Sequence, residues 1–361
     1  MNAIRNHARA GRRRGAGSLA RIAGVLCVTA LTLAPPAWAQ APYARFDTAP
    51  DAPDAQADAA SEVAMTQAWR SWSQRSAAAL AATTQPRELA FAALLQGLGN
   101  GPTPSQAAPA GQADTWQQAA AGRAGDDVLA NALLAASGDT GTRVRAAQRW
   151  LGAEPQNLAP LLVRGGSVEA MLADTRAATT FDLHMLDQVR WMQGALLRTP
   201  ASPAERAAFV DGETFVAEEH AAITASALWS SAVLPDLQPL LQACDPSATR
   251  DPARLGDCRH VAAVLAERSD TMLGRLIGLG LQARLAATPS ERDAAQAHAR
   301  TLHWQNLEWG RASAALPRDG AGQFVRFLAD PSIRTEVQLV ERALQDAGVA
   351  LAPPAGWQPP R

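Results

Sequence analysis

Two cysteines in the second half of the chain, Cys244 and Cys258, are candidates for covalent chemistry. Such a pair can form a disulfide, exchange thiols or bind a metal. Zinc sites need closer cysteine spacing and further ligands, and the chain contains no Cys-x-x-Cys sequence. We therefore predict a structural disulfide that joins the end of one helix to the start of the next.

Histidine and acidic side chains supply the general acids and bases of many enzymes. A Glu-Glu-His run occupies residues 218–220, and His260 precedes Glu267 by about two helical turns. His184 and Asp187 have the spacing of neighbours on one helix face. The sequence has no His-Glu-x-x-His, Gly-x-Ser-x-Gly or Walker motif and no metal-ligand spacing. It therefore predicts no metal and no cofactor, and it singles out no catalytic residue.

Tryptophan is unusually frequent, with ten copies against a single tyrosine. Trp116, Trp150, Trp191 and Trp229 recur at intervals of roughly 34 to 41 residues, close to the length of a helical hairpin. These side chains can pack between helices, or they can line a groove for a peptide or a glycan. If such a groove exists, we expect Trp150, Trp191 and Trp229 to line it.

The elements that must position these residues are helices. β-branched and aromatic residues are sparse, which argues against a large sheet. Apolar residues recur at three- and four-residue steps, as at Met185, Val189, Met192 and Leu196. The pattern predicts an all-α fold of about thirteen or fourteen helices, with antiparallel neighbours joined by short loops.

Two local sequences within this helical pattern have a specific structural meaning. Thr288 or Ser290 can cap the start of a helix, because a hydroxyl at that position accepts a backbone hydrogen bond. Gly278 and Gly280 resemble part of a dinucleotide-binding sequence but lie inside a helical run with no preceding strand. We therefore interpret these glycines as points of close helix packing.

Residues 124–157 carry features of a repeated helical hairpin. These features are an inter-helix turn at Gly138-Asp139, Leu151 on the second helix, Pro155-Gln156-Asn157 at the close of the unit, and Leu161 and Gly165 at the next helix. The segment resembles a tetratricopeptide repeat, although Trp150 stands where that family has a small alanine. The resemblance implies a right-handed superhelix, or α-solenoid, of stacked antiparallel helix pairs.

Residues 1–39 have the three parts of a secretory signal peptide. A basic start with six arginines precedes an apolar run over residues 22–33, and Ala37-Trp38-Ala39 supplies a cleavage site. The apolar run is shorter than the roughly 20 residues that a membrane anchor needs. Cleavage after Ala39 would remove Cys27 and leave an even cysteine pair, which suits an oxidising compartment.

The mature chain divides into three parts. Residues 40–60 are rich in Ala, Asp and Pro and are predicted to form a disordered linker. Residues 61–346 form one helical domain, with a possible subdivision near residues 199–203. Residues 347–361 form a proline-rich tail.

Composition and charge narrow the location and the partners. All 33 lysine-plus-arginine positions are arginine, and this bias with abundant alanine is typical of a GC-rich bacterial genome. The formal net charge is −1, and loss of the leader arginines makes the mature chain more acidic. An acidic chain is a poor nucleic-acid binder. We expect a periplasmic or secreted protein with no membrane span after cleavage.

Three functions fit these features. The first is a non-catalytic binding or assembly scaffold that presents a helical groove to a protein or peptide, and this expectation rests on the architecture. The second is a cell-envelope enzyme acting on cell-wall polymer, which would gather residues 218–220, His260 and Glu267 in one pocket. The third is a structural envelope protein without a defined ligand.

Export should remove the leader after Ala39. N-terminal sequencing of the protein exported from a bacterial host should therefore begin at Gln40. Ala39→Leu should retain the leader because the peptidase takes small residues at this position, whereas Ala39→Ser should be processed normally. An exported wild-type chain that still begins at Met1 would contradict the signal-peptide prediction.

Overall fold

The computed structural model describes residues 52–99, 111–210, 214–233, 235–315 and 320–360. The signal peptide and residues 40–51 of the predicted linker lie outside these ranges. The described chain is all-α, with sixteen helices and no strands, which confirms the predicted fold class. No helix within these ranges combines the length and apolar composition needed to span a bilayer.

The helices range in length from fewer than two turns to more than eight. In chain order they are α1 (Ala52–Ala82), α2 (Pro86–Gly99), α3 (Gln112–Arg123), α4 (Val128–Ser137), α5 (Thr140–Ala153), α6 (Ala159–Arg164), α7 (Val168–Thr175), α8 (Met185–Leu197), α9 (Pro203–Phe209), α10 (Ala217–Ala232), α11 (Gln238–Ala243), α12 (Pro252–Arg268), α13 (Met272–Leu285), α14 (Pro289–Ala315), α15 (Gly320–Ala329) and α16 (Glu336–Asp346). The short helices α6, α9 and α11 explain why the described count exceeds the predicted one, because one or two turns show no clear periodicity.

Capping side chains explain where about half of the helices start. A hydroxyl or carboxylate accepts a hydrogen bond from the first turn at Asp127, Asp139, Ser167, Ser202, Asp251, Thr271 and Thr335. Such a cap satisfies a backbone N–H group that has no partner within the helix. The predicted cap before α14 is Thr288, whose hydroxyl accepts from the Glu291 amide at 3.2 Å.

Neighbouring helices pack together along much of the chain. Helices α1, α2 and α3 form one such series, α4 packs on α5, and α12, α13 and α14 form another series. The predicted turn at Gly138-Asp139 lies between α4 and α5, as expected. Helix α9 also packs on α1, and α15 packs on α8 and α10. These contacts go beyond the neighbour-only pattern of a solenoid, so the superhelix and the tetratricopeptide relationship stay predictions.

The ends of the described chain are more structured than the sequence suggested. Residues 52–60, which belong to the predicted linker, are part of α1, as the high helix propensity of alanine allows. The predicted tail packs against α14. The Trp304 indole donates to the Ala350 carbonyl at 2.9 Å, and Trp357 lies edge-on to Trp304 with ring centroids 5.4 Å apart. An aromatic contact therefore holds the proline-rich end.

The loop at residues 199–203, the suggested subdivision, is held to the first helix. The Trp72 indole donates to the Thr199 carbonyl at 2.7 Å, and Arg75 forms an ion pair with Glu205. One cluster of buried hydrophobic side chains includes residues on both sides of this loop.

The predicted disulfide is present between Cys244 and Cys258. Its S–S distance is 2.05 Å and the Cα atoms are 5.4 Å apart. Cys244 directly follows α11, and Cys258 lies in the second turn of α12, with both side chains fully buried. In the chain-entropy account, closing a loop of this size contributes about 3 kcal/mol to stability.

Gly278 sets the distance between α12 and α13. A methyl group at this position would lie 2.2 Å from the Ala266 nitrogen and 2.7 Å from the Leu265 carbonyl carbon. The prediction of close packing is therefore confirmed for Gly278. It is wrong for Gly280, which is exposed and where a methyl group would meet no neighbouring atom within 4 Å.

Alanine substitution should separate the two glycines. Gly278→Ala should lower the free energy of unfolding by about 3 kcal/mol, because α13 must move away from the backbone of α12. Gly280→Ala should leave it unchanged or raise it by up to about 1 kcal/mol, since alanine favours helix and meets open space. Urea unfolding of both variants measures the difference, and equal effects would refute the close-packing interpretation.

Candidate functional sites

The three tryptophans predicted to line a groove do not form one. Trp150 and Trp229 are only 1% and 2% exposed and belong to the hydrophobic core. Trp191 is partly buried and lies edge-on to Phe91, with ring centroids 5.6 Å apart. Their recurrence along the chain therefore reflects packing between helices, because large aromatic surfaces are most stable when buried.

The histidines of the suggested enzyme pocket have separate surroundings. His220 lies among the rings of Trp72, Phe209 and Phe215. Burial there lowers the pKa of His220 to about 4, so the ring is neutral at pH 7. The Nε2 atom of His260 instead lies 2.9 Å from the Ala178 carbonyl. Side-chain surroundings of this kind depend on tertiary packing and leave no signal in local spacing.

A different set of polar residues does converge, and we call it the polar junction: Glu154, Asn157, Asp182, His184 and Asp270. Glu154 and Asn157 lie between α5 and α6, Asp182 and His184 lie between α7 and α8, and Asp270 lies between α12 and α13. Two isolated β-bridges, Asn157–Thr180 and Phe181–Ser269, align these three loops. The junction thus joins segments that are far apart in sequence.

Glu154 accepts three hydrogen bonds through one carboxylate oxygen. The donors are the Trp150 indole at 2.8 Å, the Asn157 amide at 2.8 Å and His184 Nε2 at 2.9 Å. Burial opposes ionisation, but these hydrogen bonds outweigh it and lower the pKa of Glu154 to about 2. Glu154 is therefore ionised across the physiological range and cannot act as a general acid there.

His184 lies between two carboxylates and has a left-handed backbone, with φ of 54°. Its Nδ1 atom is 3.7 Å from Asp182, on the other side of the ring from Glu154. Burial would lower the pKa of His184, but the hydrogen bond with Glu154 and the charges of Asp182, Glu154 and Asp270 raise it above 6.5. The suggested contact with Asp187 is wrong. His184 precedes α8 rather than lying in it, and Asp187 accepts from Arg190 at 3.2 Å.

Asp270 is the most deeply buried carboxylate of the junction. It accepts from the backbone amides of Leu183 at 3.0 Å and Met185 at 2.9 Å, at the start of α8. Burial and the nearby charge of Asp182 nevertheless raise the pKa of Asp270 above its ordinary range. The backbone amides at the start of α8 therefore offset only part of the cost of burying this charge.

The geometry of the junction favours a structural role. A shallow recess of about 290 Å³ lies beside it, lined in part by Glu154, Asn157 and Asp182. The polar atoms of the junction nevertheless bind mainly one another and the backbone. Across the described ranges, no three His, Cys, Asp or Glu residues are arranged to hold a metal ion.

A second candidate site is a groove of about 490 Å³ between α12 and α14, above the C-terminal half of α13. We call it the α12–α14 groove. Its floor consists of buried apolar side chains, among them Ala262, Leu279, Leu285 and Ala295. Its rim carries polar side chains, namely Arg259, Gln282, Glu291 and His298.

Internal hydrogen bonds fix part of the rim. The Arg259 guanidinium donates twice to the Leu285 carbonyl, at 3.1 and 2.9 Å, where α13 ends. The Glu291 carboxylate accepts from the Ala287 amide at 2.7 Å and closes the turn into α14. The groove is therefore preformed, with an apolar floor and a polar edge, as is common in ligand sites. The sequence did not predict this groove, because its lining residues come from three helices and no local pattern connects them.

The fold and these two sites define an all-α protein with a polar junction between three loops and a preformed groove lined by three helices. No protein-family model, curated protein or solved structure matches the chain.

The junction should make stability depend on pH through His184. Because folding raises the pKa of His184, its contribution is complete below about pH 6.5 and is lost as the pH rises through the folded-state value. His184→Asn, which tolerates a positive φ, should lower the free energy of unfolding by about 2 kcal/mol at pH 6 and by less at pH 9.

Urea unfolding of wild type and variant across this pH range measures the effect. His298→Asn removes an exposed histidine and is the matched control, since it should produce no pH-dependent difference. Glu154 makes stability depend on pH in the opposite direction at low pH. Its contribution to the free energy of unfolding is lost as the pH falls from 4.5 towards 2. A deficit in His184→Asn that is the same at pH 6 and pH 9 would show that His184 is not held protonated.

Proposed function

We propose that this protein is a non-catalytic binding scaffold whose α12–α14 groove takes a segment of a protein or peptide partner. The proposal rests on the preformed groove with its apolar floor. Three consecutive helices, α12, α13 and α14, line this groove, and each packs on the next. Burial of apolar surface drives most protein association, and polar groups at the edge provide orientation.

The composition of the groove favours a peptide over a small polar ligand. Ala262, Ala286, Ala294 and Ala295 contribute only methyl groups, so larger side chains of a partner can fill the space above them. The polar edge contains both an acidic residue, Glu291, and basic ones. This mixture suits a neutral amphipathic partner better than a strongly charged polymer such as a nucleic acid.

We also propose that the scaffold works outside the cytoplasm, in the periplasm or beyond it. The disulfide supports export, because cytosolic thiols are normally kept reduced. The predicted leader at residues 1–39 is the second support. A partner should therefore be sought among envelope or secreted proteins.

Site-specific photo-crosslinking tests the proposal. With p-benzoylphenylalanine at Ala294, in the groove, irradiation of the producing bacterium should yield one discrete adduct of higher mass. The same residue at Ala297, which is exposed on α14 but does not line the groove, should yield none. Immunoblotting of the tagged chain detects the adduct. Equal adducts at both positions, or none at Ala294, would refute groove binding.

A further inference from the structure

The C-terminal segment crosses α14 outside the α12–α14 groove, and we call residues 350–357 the strap. Helix α16 ends in a turn in which Gly348 has a left-handed backbone, with φ of 68°, and the Val349 amide donates to the Leu344 carbonyl at 2.8 Å. This helix ending lets the chain leave the helix axis. The strap that follows contains no helix and packs against α14.

Two side chains of α14 bind the main chain of the strap. The Trp304 indole donates to the Ala350 carbonyl at 2.9 Å, and the Gln305 amide donates to the Leu351 carbonyl at 3.2 Å. Every peptide has main-chain carbonyls, so these two contacts do not require particular side chains in the bound segment. Trp304 and Gln305 therefore have the chemistry of a peptide-binding pair. They lie more than one helical turn beyond His298, which lines the groove.

A third contact makes the site selective for a tryptophan. The strap turns at residues 354–357, where the Trp357 amide donates to the Pro354 carbonyl at 3.1 Å and Gly356 has φ of 77°. This turn places the Trp357 ring edge-on to Trp304. Aromatic pairs of this geometry are more favourable than their buried area alone implies. The strap is therefore bound through two carbonyls and through one ring later in the segment.

The strap satisfies this site only in part. Gln305 is 4% exposed, and its buried Oε1 atom accepts no hydrogen bond within the described ranges. The same amide group contacts the strap through Nε2, so Oε1 lies close to the strap. The residues that follow in the strap include Pro353 and Pro354, which have no N–H group to donate. A buried acceptor without a donor is unfavourable, so a segment that supplies one should bind better.

The strap is also weakly anchored. Each residue from 350 to 357 is exposed or only partly buried. Helix α16, by contrast, buries Val340 and Leu344 completely. Segments with few buried contacts open at a lower cost in free energy than helices packed in a core. We therefore expect the strap to leave α14 without unfolding of α16.

We propose that Trp304 and Gln305 form a second peptide-binding site, separate from the groove, which the strap occupies as an internal ligand. The external ligand is a flexible peptide segment of another protein, with an N–H group in place of Pro353 and a tryptophan at the position of Trp357. Such a segment makes the contacts of the strap and adds a donor for Gln305. It therefore displaces the strap, which in turn blocks weaker ligands. This inference is independent of the occupancy of the α12–α14 groove.

Fluorescence anisotropy with labelled peptides and the full mature protein tests this site. The probe is a synthetic peptide of residues 347–360 that carries Pro353→Ala, titrated up to about 1 mM. Trp357→Ala in the protein removes the ring that holds the strap, so it should strengthen binding of the probe about tenfold. Gln358→Ala, at the exposed neighbouring residue, is the matched control and should leave the affinity unchanged.

Two further comparisons test the individual contacts. Adding Trp304→Ala to the Trp357→Ala protein should weaken binding of the probe about tenfold, because the indole donor and the ring contact are both lost. The unsubstituted peptide should bind the Trp357→Ala protein about threefold more weakly than the probe, because Pro353 cannot donate to Gln305. Trp357 is partly exposed and lies near the end of the chain, so its replacement should leave the helices intact, as circular dichroism can verify.

Each contrary outcome has a distinct meaning. Equal affinity of wild type and Trp357→Ala for the probe would overturn the inference, because the strap would not compete with a ligand. Absence of binding to Trp357→Ala at the highest concentration would show that the strap is fixed packing, which also overturns it. Equal binding of the two peptides would overturn the requirement for an N–H group. The crosslink at Ala294 tests the groove separately, so failure of this site and failure of the proposed function can be told apart.

Discussion

The buried carboxylate of Asp270 is the constraint on which the arrangement of the helices depends. Its two oxygens accept from the backbone at the start of α8. Its own amide donates to the Phe181 carbonyl at 3.1 Å, and its carbonyl accepts from the Glu336 amide at 2.8 Å. Glu336 in turn accepts from the Met272 amide at 2.7 Å. The starts of three helices, α8, α13 and α16, therefore meet around the carboxyl groups of Asp270, which is buried, and Glu336, which is partly buried.

This convergence has a clear electrostatic basis. A helix start carries partial positive charge and unpaired N–H groups, and a buried carboxylate is stable only where such donors surround it. Burial raises the pKa values of both Asp270 and Glu336, so the donors do not offset the whole desolvation cost. By contrast, the carboxylates beside His184 favour its protonated form and raise its pKa despite burial.

The same contacts position α13, which forms part of the floor of the α12–α14 groove. Hydrogen bonds of Asp270 and Glu336 join the starts of α13 and α16. Farther along α13, Gly278 brings this helix close to α12, next to the floor residue Leu279. Polar contacts at the start of α13 and a close backbone approach in its second half thus fix the helix on which the groove is built.

Local sequence was sufficient for features that depend on neighbouring residues. The all-α class, the turn at Gly138-Asp139 and the cap at Thr288 follow from periodicity and capping chemistry, which act over a few residues. The Cys244–Cys258 bridge followed from the number of cysteines and their separation by a loop. The linker and the tail were less predictable. Residues 52–60 of the predicted linker are helical, and Trp357 of the predicted tail packs on the ring of Trp304, which is far from it in sequence.

Only the tertiary structure decided which polar residues meet. His184 contacts Glu154 from a different loop. The aromatic surroundings of His220 likewise come from Trp72, Phe209 and Phe215 and not from its acidic neighbours in sequence. Trp150 and Trp229 are core residues because the packing of other helices buries them. By itself, the sequence determined which segments are helical, since those interactions are local. The folded structure decided the polar junction and the groove, because both arise from contacts between segments that local patterns do not connect.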